Sequence, residues 1–223
     1  MALALFGLAA GCRHAAPPAP LPLDWPELSA PPAPFAALYR FSCCSRTGLL
    51  ATVRAGGDAV DLTVVMQPAG VVARAWLHGN EGWVMDEKAG CRRRLARGEL
   101  PVSGGVTIPL DAPLAALLLT GRVPEGARPL PAQPGWVEAR TGGVVWRARI
   151  EGGPVRCSRV TVARDGRTLL DARLSRLRPD GMPGAVVIDA GREHMELALA
   201  SWHGAQAPGA PPWMDAAVCG AAP

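Results

Sequence analysis

From Val60 the chain alternates between apolar and polar positions. Val60, Leu62, Val64 and Met66 are interleaved with Asp61, Thr63, Val65 and Gln67, the period of two that one buried strand face requires. Pro68-Ala69-Gly70 then turns the chain, and Ala73, Ala75 and Leu77 share one face with Arg74, Trp76 and His78 opposite. A second turn, Gly79-Asn80-Glu81-Gly82, leads into a short strand from Trp83 to Met85. The same pattern predicts strands near 39–46, 48–55, 136–140, 143–151, 155–164, 167–175, 184–190 and 193–202. Gly142-Gly143, Gly152-Gly153 and Asp165-Gly166 stand at the joints, where hairpins need residues that tolerate positive φ. The expected architecture is a meander of about ten strands whose sequence neighbours pair antiparallel.

One segment departs from that period. Asp111 can cap a helix, Pro113 fits its first turn, and Leu114, Ala115, Leu117 and Leu118 follow at helical spacing. Gly121 ends it and Pro124 prevents its return. Ten residues make a helix of about 15 Å. With Leu110 and Leu119 nearly its whole circumference is apolar, so it belongs against the sheet or across the mouth of a hollow. A core helix and a mobile lid both satisfy that pattern.

The two ends of the chain read as address and linker. An apolar run from Leu3 closes on Leu8-Ala9-Ala10-Gly11-Cys12, a lipoprotein signal in which small residues precede a cysteine to be acylated. A secretory segment that happens to contain a cysteine is the alternative. No Lys or Arg precedes the run, and it is far short of the roughly 20 apolar residues that span a bilayer. Residues 13–34 hold eight prolines, among them Pro17, Pro18 and Pro34, and favour an extended polyproline stalk. Twenty such residues reach about 60 Å. The expected divisions are 1–12, 13–34, a globular domain over 35–206, and a Pro-bearing tail over 207–223 that is pinned only if Cys219 is bridged.

The formal charge of +4 does not by itself point to nucleic acid. Lys88 is the sole lysine, and the densest basic run, Arg92, Arg93, Arg94 and Arg97, has no interleaved aromatic and no recognised module around it. It reads as a solvated face, with anionic headgroups as a further possible contact. If Cys12 is acylated, Cys43, Cys44, Cys91, Cys157 and Cys219 remain, and export predicts two disulfides and one free thiol. Cys43 and Cys44, adjacent on a strand, point to opposite faces, so one of them is the expected leftover. At least one bridge is expected to tie Cys91 to the strand that carries them. No C-x-x-C pair and no nearby His favours a metal, and neither a metal nor a cofactor is expected.

Catalytic signatures are missing from the sequence: there is no G-x-S-x-G elbow, no P-loop, no H-E-x-x-H and no G-x-G-x-x-G ahead of a helix. His194, between Glu193 and Glu196, is the nearest thing to a proton-transfer group, but 193 and 194 face opposite sides of a strand. The expectation is a protein without enzymatic activity. The seven tryptophans suit packing in a core or at a barrel rim.

An anchored, exported chain with a strand meander, a helix inserted within Leu100-Pro101 through Leu117-Leu118-Leu119-Thr120-Gly121-Arg122-Val123-Pro124, and a second meander resembles the LolA/LolB-like lipoprotein-sorting superfamily. Leu62 to Asp86 looks like the first half of that pattern, and the likeness runs from about Phe35 to Trp202. It implies a mainly β, α+β fold: a strongly curved antiparallel half-barrel with a short helical lid over an apolar cavity that holds acyl chains. The anchored branch is similar to outer-membrane receptors that accept lipoproteins from a soluble carrier. Arg13 follows Cys12 where that pathway uses Asp to retain lipoproteins at the inner membrane, so the outer membrane, on its periplasmic side, is the expected location. The extra cysteines and the proline stalk depart from the branch.

The expected function is binding of lipid acyl chains or of lipoproteins, with membrane contact through the anchor. Expected wall residues are Val60, Leu62, Val64, Met66, Leu77, Val144, Trp146, Ile150, Leu197 and Leu199, with Leu114, Leu117 and Leu118 from the helix. The alternative is an assembly lipoprotein whose sheet is filled by its own side chains and docks an envelope protein partner.

Overall fold

The computed structural model describes residues 33–43, 46–95, 99–101, 107–123, 126–141, 143–151, 156–178 and 182–220. The leader with Cys12, residues 13–32, Cys44, Arg97, Gly142, Gly152, Gly153 and Pro124 lie outside them. The first meander comprises β1 (Phe35–Cys43), β2 (Arg46–Gly56), β3 (Ala59–Met66), β4 (Gly70–His78), β5 (Glu81–Asp86) and β6 (Cys91–Arg94). A crossing segment follows with the small pair β7 (Glu99–Pro101) and β8 (Thr107–Pro109) and the helix α1 (Ala112–Thr120). The second meander holds β9 (Arg128–Pro129), β10 (Trp136–Thr141), β11 (Val144–Glu151), β12 (Arg156–Arg164), β13 (Arg167–Leu177), β14 (Pro183–Ala190) and β15 (Glu193–Gly204).

All but β7 and β8 belong to one antiparallel sheet of 13 strands in the order β6-β5-β4-β3-β2-β1-β15-β14-β13-β12-β11-β10-β9. This is the open, curved, mainly antiparallel sheet expected, with more strands than the hydrophobic period revealed. The additions are edge strands. β6 reads Cys-Arg-Arg-Arg and β9 is two residues long with a proline, so neither carries an alternating apolar face. Register shifts interrupt β1–β15 at Leu38/Tyr39, β3–β4 at Val64/Val65, β11–β12 at Arg149/Ile150 and β12–β13 at Val162/Ala163. Such irregularities increase local twist and bend a long sheet into a trough.

The chain must cross from edge strand β6 to edge strand β9, and in crossing it lays α1 into the trough. The helix begins as its sequence requires: Asp111 accepts a hydrogen bond from the Leu114 N–H at 2.8 Å, and Pro113 occupies the first turn. It ends at Gly121, whose φ of 68° is left-handed and whose N–H donates to the Leu117 carbonyl. α1 lies against β3 on one side and β14 on the other. The β7–β8 pair bridges the same gap, β7 lying near β5 and β8 near β13, with Arg164 of β12 ion-paired to Glu99 of β7.

Two hydrophobic clusters flank the helix. In the β10–β14 half, Leu114, Leu117 and Leu118 join Val137, Val144, Trp146, Ile150, Val160, Val162 and Leu170. In the β1–β4 half, Ala112, Ala115 and Leu119 join Phe35, Tyr39, Val53, Val60 and Leu77. The helix is thus neither simply a plug nor simply a cover; its two sides do different things.

The cysteines correct the expected pairing. Cys91 is bonded to Cys219 rather than to the strand that carries Cys43 and Cys44. The sheet order explains why: β6 is separated from β1 by five strand spacings of about 4.8 Å each, beyond the reach of a disulfide. Cys43 is also disulfide-bonded. The free thiol among the described residues is Cys157, not a member of the adjacent pair. It is buried in the filled half near Gly121, and burial pushes its pKa up to about 12, which keeps it a neutral thiol.

The Cys91–Cys219 bond pins the tail. Beyond β15, the Ala205 N–H donates to the Pro34 carbonyl, and at the far end the Arg92 N–H donates to Ala217 O while the Cys219 N–H donates to Arg92 O. These bonds occupy free backbone groups on the outer side of edge strand β6. Among the described residues no helix is long and apolar enough to cross a membrane.

Two outcomes follow. The disulfide closes a sequence separation of 128 residues, so a Cys219→Ser variant should lose about 2 to 4 kcal/mol in denaturant unfolding and expose the tail to limited proteolysis. Leu117 is fully buried in the filled half, so Leu117→Ala should cost about 2 to 5 kcal/mol in the same measurement, whereas a helix resting loosely on the sheet would lose far less.

Candidate functional site

The two halves of the trough differ in the size of their side chains. Trp146, Ile150, Val160 and Val162, with Leu114 and Leu117 descending from α1, fill the space over β10–β12. Over β2–β4 the inward positions mix Leu49, Leu62 and Leu77 with the smaller Ala51, Val53, Val60, Val64 and Ala75, and α1 turns Ala115 toward them. The result is a cavity of about 910 Å³ between the first meander and the helix, reaching Leu170 of β13 and Val186 and Ile188 of β14 on its far side, toward the upper end of the roughly 300 to 1,000 Å³ typical of ligand sites.

Val60, Leu62, Val64, Leu77, Leu197 and Leu118 line this cavity. Met66 and Leu199 pack against the same half without lining it. Leu199 stands opposite the fully buried Tyr39, whose ring fills that part of the wall. Val144, Trp146, Ile150, Leu114 and Leu117 are displaced from the expected wall into the filled half. Their strand parity was legible, since they do face the trough, but the bulk that fills their half comes from strands distant in sequence. Lining residues not anticipated include Leu49, Ala51 and Val53 of β2, Val84 of β5, Met195 of β15, and Ala115 and Leu119 of α1. Alternation in β2 carried the signal for three of them.

The cavity has a floor and a mouth. Successive hairpins of a meander alternate between its ends, so the turns after β2 and β4 share one end. There the Gly79 N–H donates to Asp58 O, and α1 is fastened by the Ala112 N–H donating to Gly79 O at 3.2 Å. The turns after β1, β3 and β5 share the other end. Val72, among the most exposed large apolar residues, lies at this rim because the register shift between β3 and β4 leaves it without a partner.

The ionisable lining residues are Arg46, Arg74, Asp86, Glu87, Lys88 and Arg93; Arg74 stands midway along β4, level with Met85 near the end of β5, and the others lie at the mouth or beside it. Arg74 Nε lies 3.3 Å from Glu87 Oε1, and Arg93 lies 3.3 Å from Asp86 Oδ2. Asp86 Oδ1 also accepts the backbone N–H groups of Lys88 and Ala89, which fixes the turn. Both carboxylates are therefore engaged, while Arg46 and Lys88 have no carboxylate partner among the described residues.

The remaining sequence candidates are surface features. Arg94 pairs with Glu81 at 2.5 Å, Arg92 stacks over Trp83 at 4.8 Å and Arg93 meets Asp86, so the described part of the basic run is spent on its neighbours. His194 Nδ1 is 2.7 Å from Asp189 Oδ1, and Arg173 is 2.8 Å from Asp189 Oδ2, an exposed cross-strand network. The hydrogen bond from His194, with the positive charge of Arg173, holds the Asp189 carboxyl below its ordinary range. Among the described residues no three His, Cys, Asp or Glu side chains are grouped to hold a metal ion.

Compared by sequence, the chain matches no family model and no curated protein. Compared by fold, it is similar to the crystal structure of LolA superfamily protein NE2245 from Nitrosomonas europaea. The TM-score is 0.53 at 12% sequence identity, over 82% of this chain and 90% of the other. At that identity the likeness is one of fold: an open, curved antiparallel sheet wrapped around one short helix, the LolA-like arrangement.

Proposed function

We propose that this protein binds an acyl chain, of a lipid or of an acylated protein, in the cavity between its first meander and α1, and performs no covalent chemistry there. The observation that carries this reading is the cavity itself: aliphatic over its wall and floor, charged only at its mouth, and set in a LolA-like fold. Burial of each acyl methylene would contribute about 0.8 kcal/mol, so a chain of ordinary length has ample driving force for micromolar binding. The aliphatic lining fixes no orientation along the chain, which suits a carrier or receptor that must also release its load. In this reading Cys12 bears the lipid that holds the protein at the periplasmic face of the outer membrane. The prolines of residues 13–34 would hold the domain clear of that surface, and the protein would act in lipoprotein sorting or envelope assembly.

Two experiments test the proposal. Leu62 and Leu197 line the cavity and are only half-buried, so Leu62→Trp with Leu197→Trp should fill space without an overpacked core. The double variant should bind a fluorescent long-chain fatty acid at least about tenfold more weakly while keeping its strand signal in circular dichroism. Unchanged binding would remove the cavity from consideration. Absence of binding by the parent protein, with no lipid carried through native mass spectrometry, would leave the assembly lipoprotein as the better account. Separately, Cys12→Ala should abolish acyl labelling and move the protein from the membrane to the soluble fraction; persistence of both would overturn the anchor.

A further inference from the structure

The mouth of the cavity carries more information than its wall. Its ionisable lining residues are four cations and two carboxylates, and each carboxylate is already paired, Glu87 with Arg74 and Asp86 with Arg93. Arg46 and Lys88 are left over. Arg46 opens β2, and Lys88 sits in the turn between β5 and β6, so the two stand on opposite sides of the opening with β3 and β4 between them. Between them the rim is apolar, formed by Val71 and the exposed Val72.

This placement constrains the ligand. A wholly apolar molecule would gain nothing from the two cations, which would stay solvated. A cationic amphiphile would bring a third positive charge between them. An anionic head would sit in the positive field of both, Arg46 and Lys88 reaching toward it with their long side chains from strands about 14 Å apart, while its chain ran down toward the floor at Ala112 and Gly79. Arg offers a planar fork of donors suited to carboxylate and phosphate, and Lys a compact point charge, so the pair accommodates either anion. Both side chains are exposed, so recruiting them costs little desolvation.

We propose that the ligand is an anionic amphiphile, a long-chain carboxylate or phosphate ester, whose head is held between Arg46 and Lys88 at the mouth. The inference rests on the acyl-binding reading and narrows it: the head group contributes to selection, and neutral acyl compounds bind less well. The contribution is that of exposed charges, modest in size and sensitive to salt.

The test compares hexadecanoate, hexadecyl phosphate, hexadecanol and hexadecyltrimethylammonium as competitors of a fluorescent acyl probe, each below its micellar concentration, on the whole mature protein. The two anions should displace the probe about tenfold more tightly than hexadecanol at low ionic strength, a ratio that should shrink in high salt. The ammonium compound should be weakest. Arg46→Glu with Lys88→Glu should reverse that order. Whichever anion binds more tightly identifies the preferred head. Equal displacement by hexadecanol and hexadecanoate, or an order unchanged by the charge reversal, would overturn the head-group assignment and leave acyl-chain binding standing. If neither the probe nor any of the four compounds binds, the acyl-binding reading itself falls, and the head-group assignment with it.

Discussion

The pairing of β1 with β15 is the constraint on which the rest of the molecule depends. It runs from Phe35 opposite Gly204 to Cys43 opposite Met195 and joins the first strand of one meander to the last strand of the other. All the other ladders of the large sheet connect sequence neighbours and can form as local hairpins. β1–β15 closes a loop of most of the domain, so it carries the largest entropic cost and gives the fold its long-range order. Once formed, it places the edges of the sheet at β6 and β9, and the chain between them crosses the trough. The position of α1 follows from that routing: Asp111 and Gly121 set where the helix starts and stops, while the strand order sets what it lies on.

A trough crossed by a helix can be solid or hollow, and here it is both, because the two meanders carry different side chains. The second meander offers Trp146, Ile150 and Val160 to meet Leu114 and Leu117, and the space closes to ordinary packing. Across the helix, Ala51 and Ala75 on the strands face Ala115, and methyl groups cannot bridge the same distance. The filled half gives the helix a rigid seat. On the proposed reading, the open half could be empty or filled by a ligand without the helix losing its anchorage, which would separate stability from binding within one small domain.

Much of this was legible in the sequence, for physical reasons that also explain what was not. Strand periodicity marked every buried strand of the large sheet, since a one-residue error in parity would turn an apolar face to water. The cap at Asp111 and the left-handed Gly121 marked the helix because both are local chemistry. The edge strands β6 and β9 escaped notice because an edge needs no alternating face. The Cys91–Cys219 bond escaped because nothing local joins an edge strand to a tail 128 residues away. For the cavity, parity identified Val60, Leu62, Val64, Leu77 and Leu197 correctly as facing inward, but it did so equally for Val144, Trp146 and Ile150. Whether an inward position is wall or filler depends on the summed volume of side chains from strands far apart in sequence, which no local window contains.

The distribution of charge follows from the same topology. A lining residue inside the trough must be apolar, because a charge there would be stripped of water with nothing to replace it. Only the ends of strands and the turns between them can carry ionisable groups, and one end is taken up by the attachment of α1 through Ala112 to Gly79. The charges that line the cavity therefore lie toward the other end, where they would meet only the head of the proposed ligand. Paired charges such as Arg74 with Glu87 and Arg93 with Asp86 brace the turns that frame the opening. The two cations in excess among the described residues are a feature that structural bracing does not require, and on the proposed reading they would place the selectivity of the site at its rim rather than along its wall.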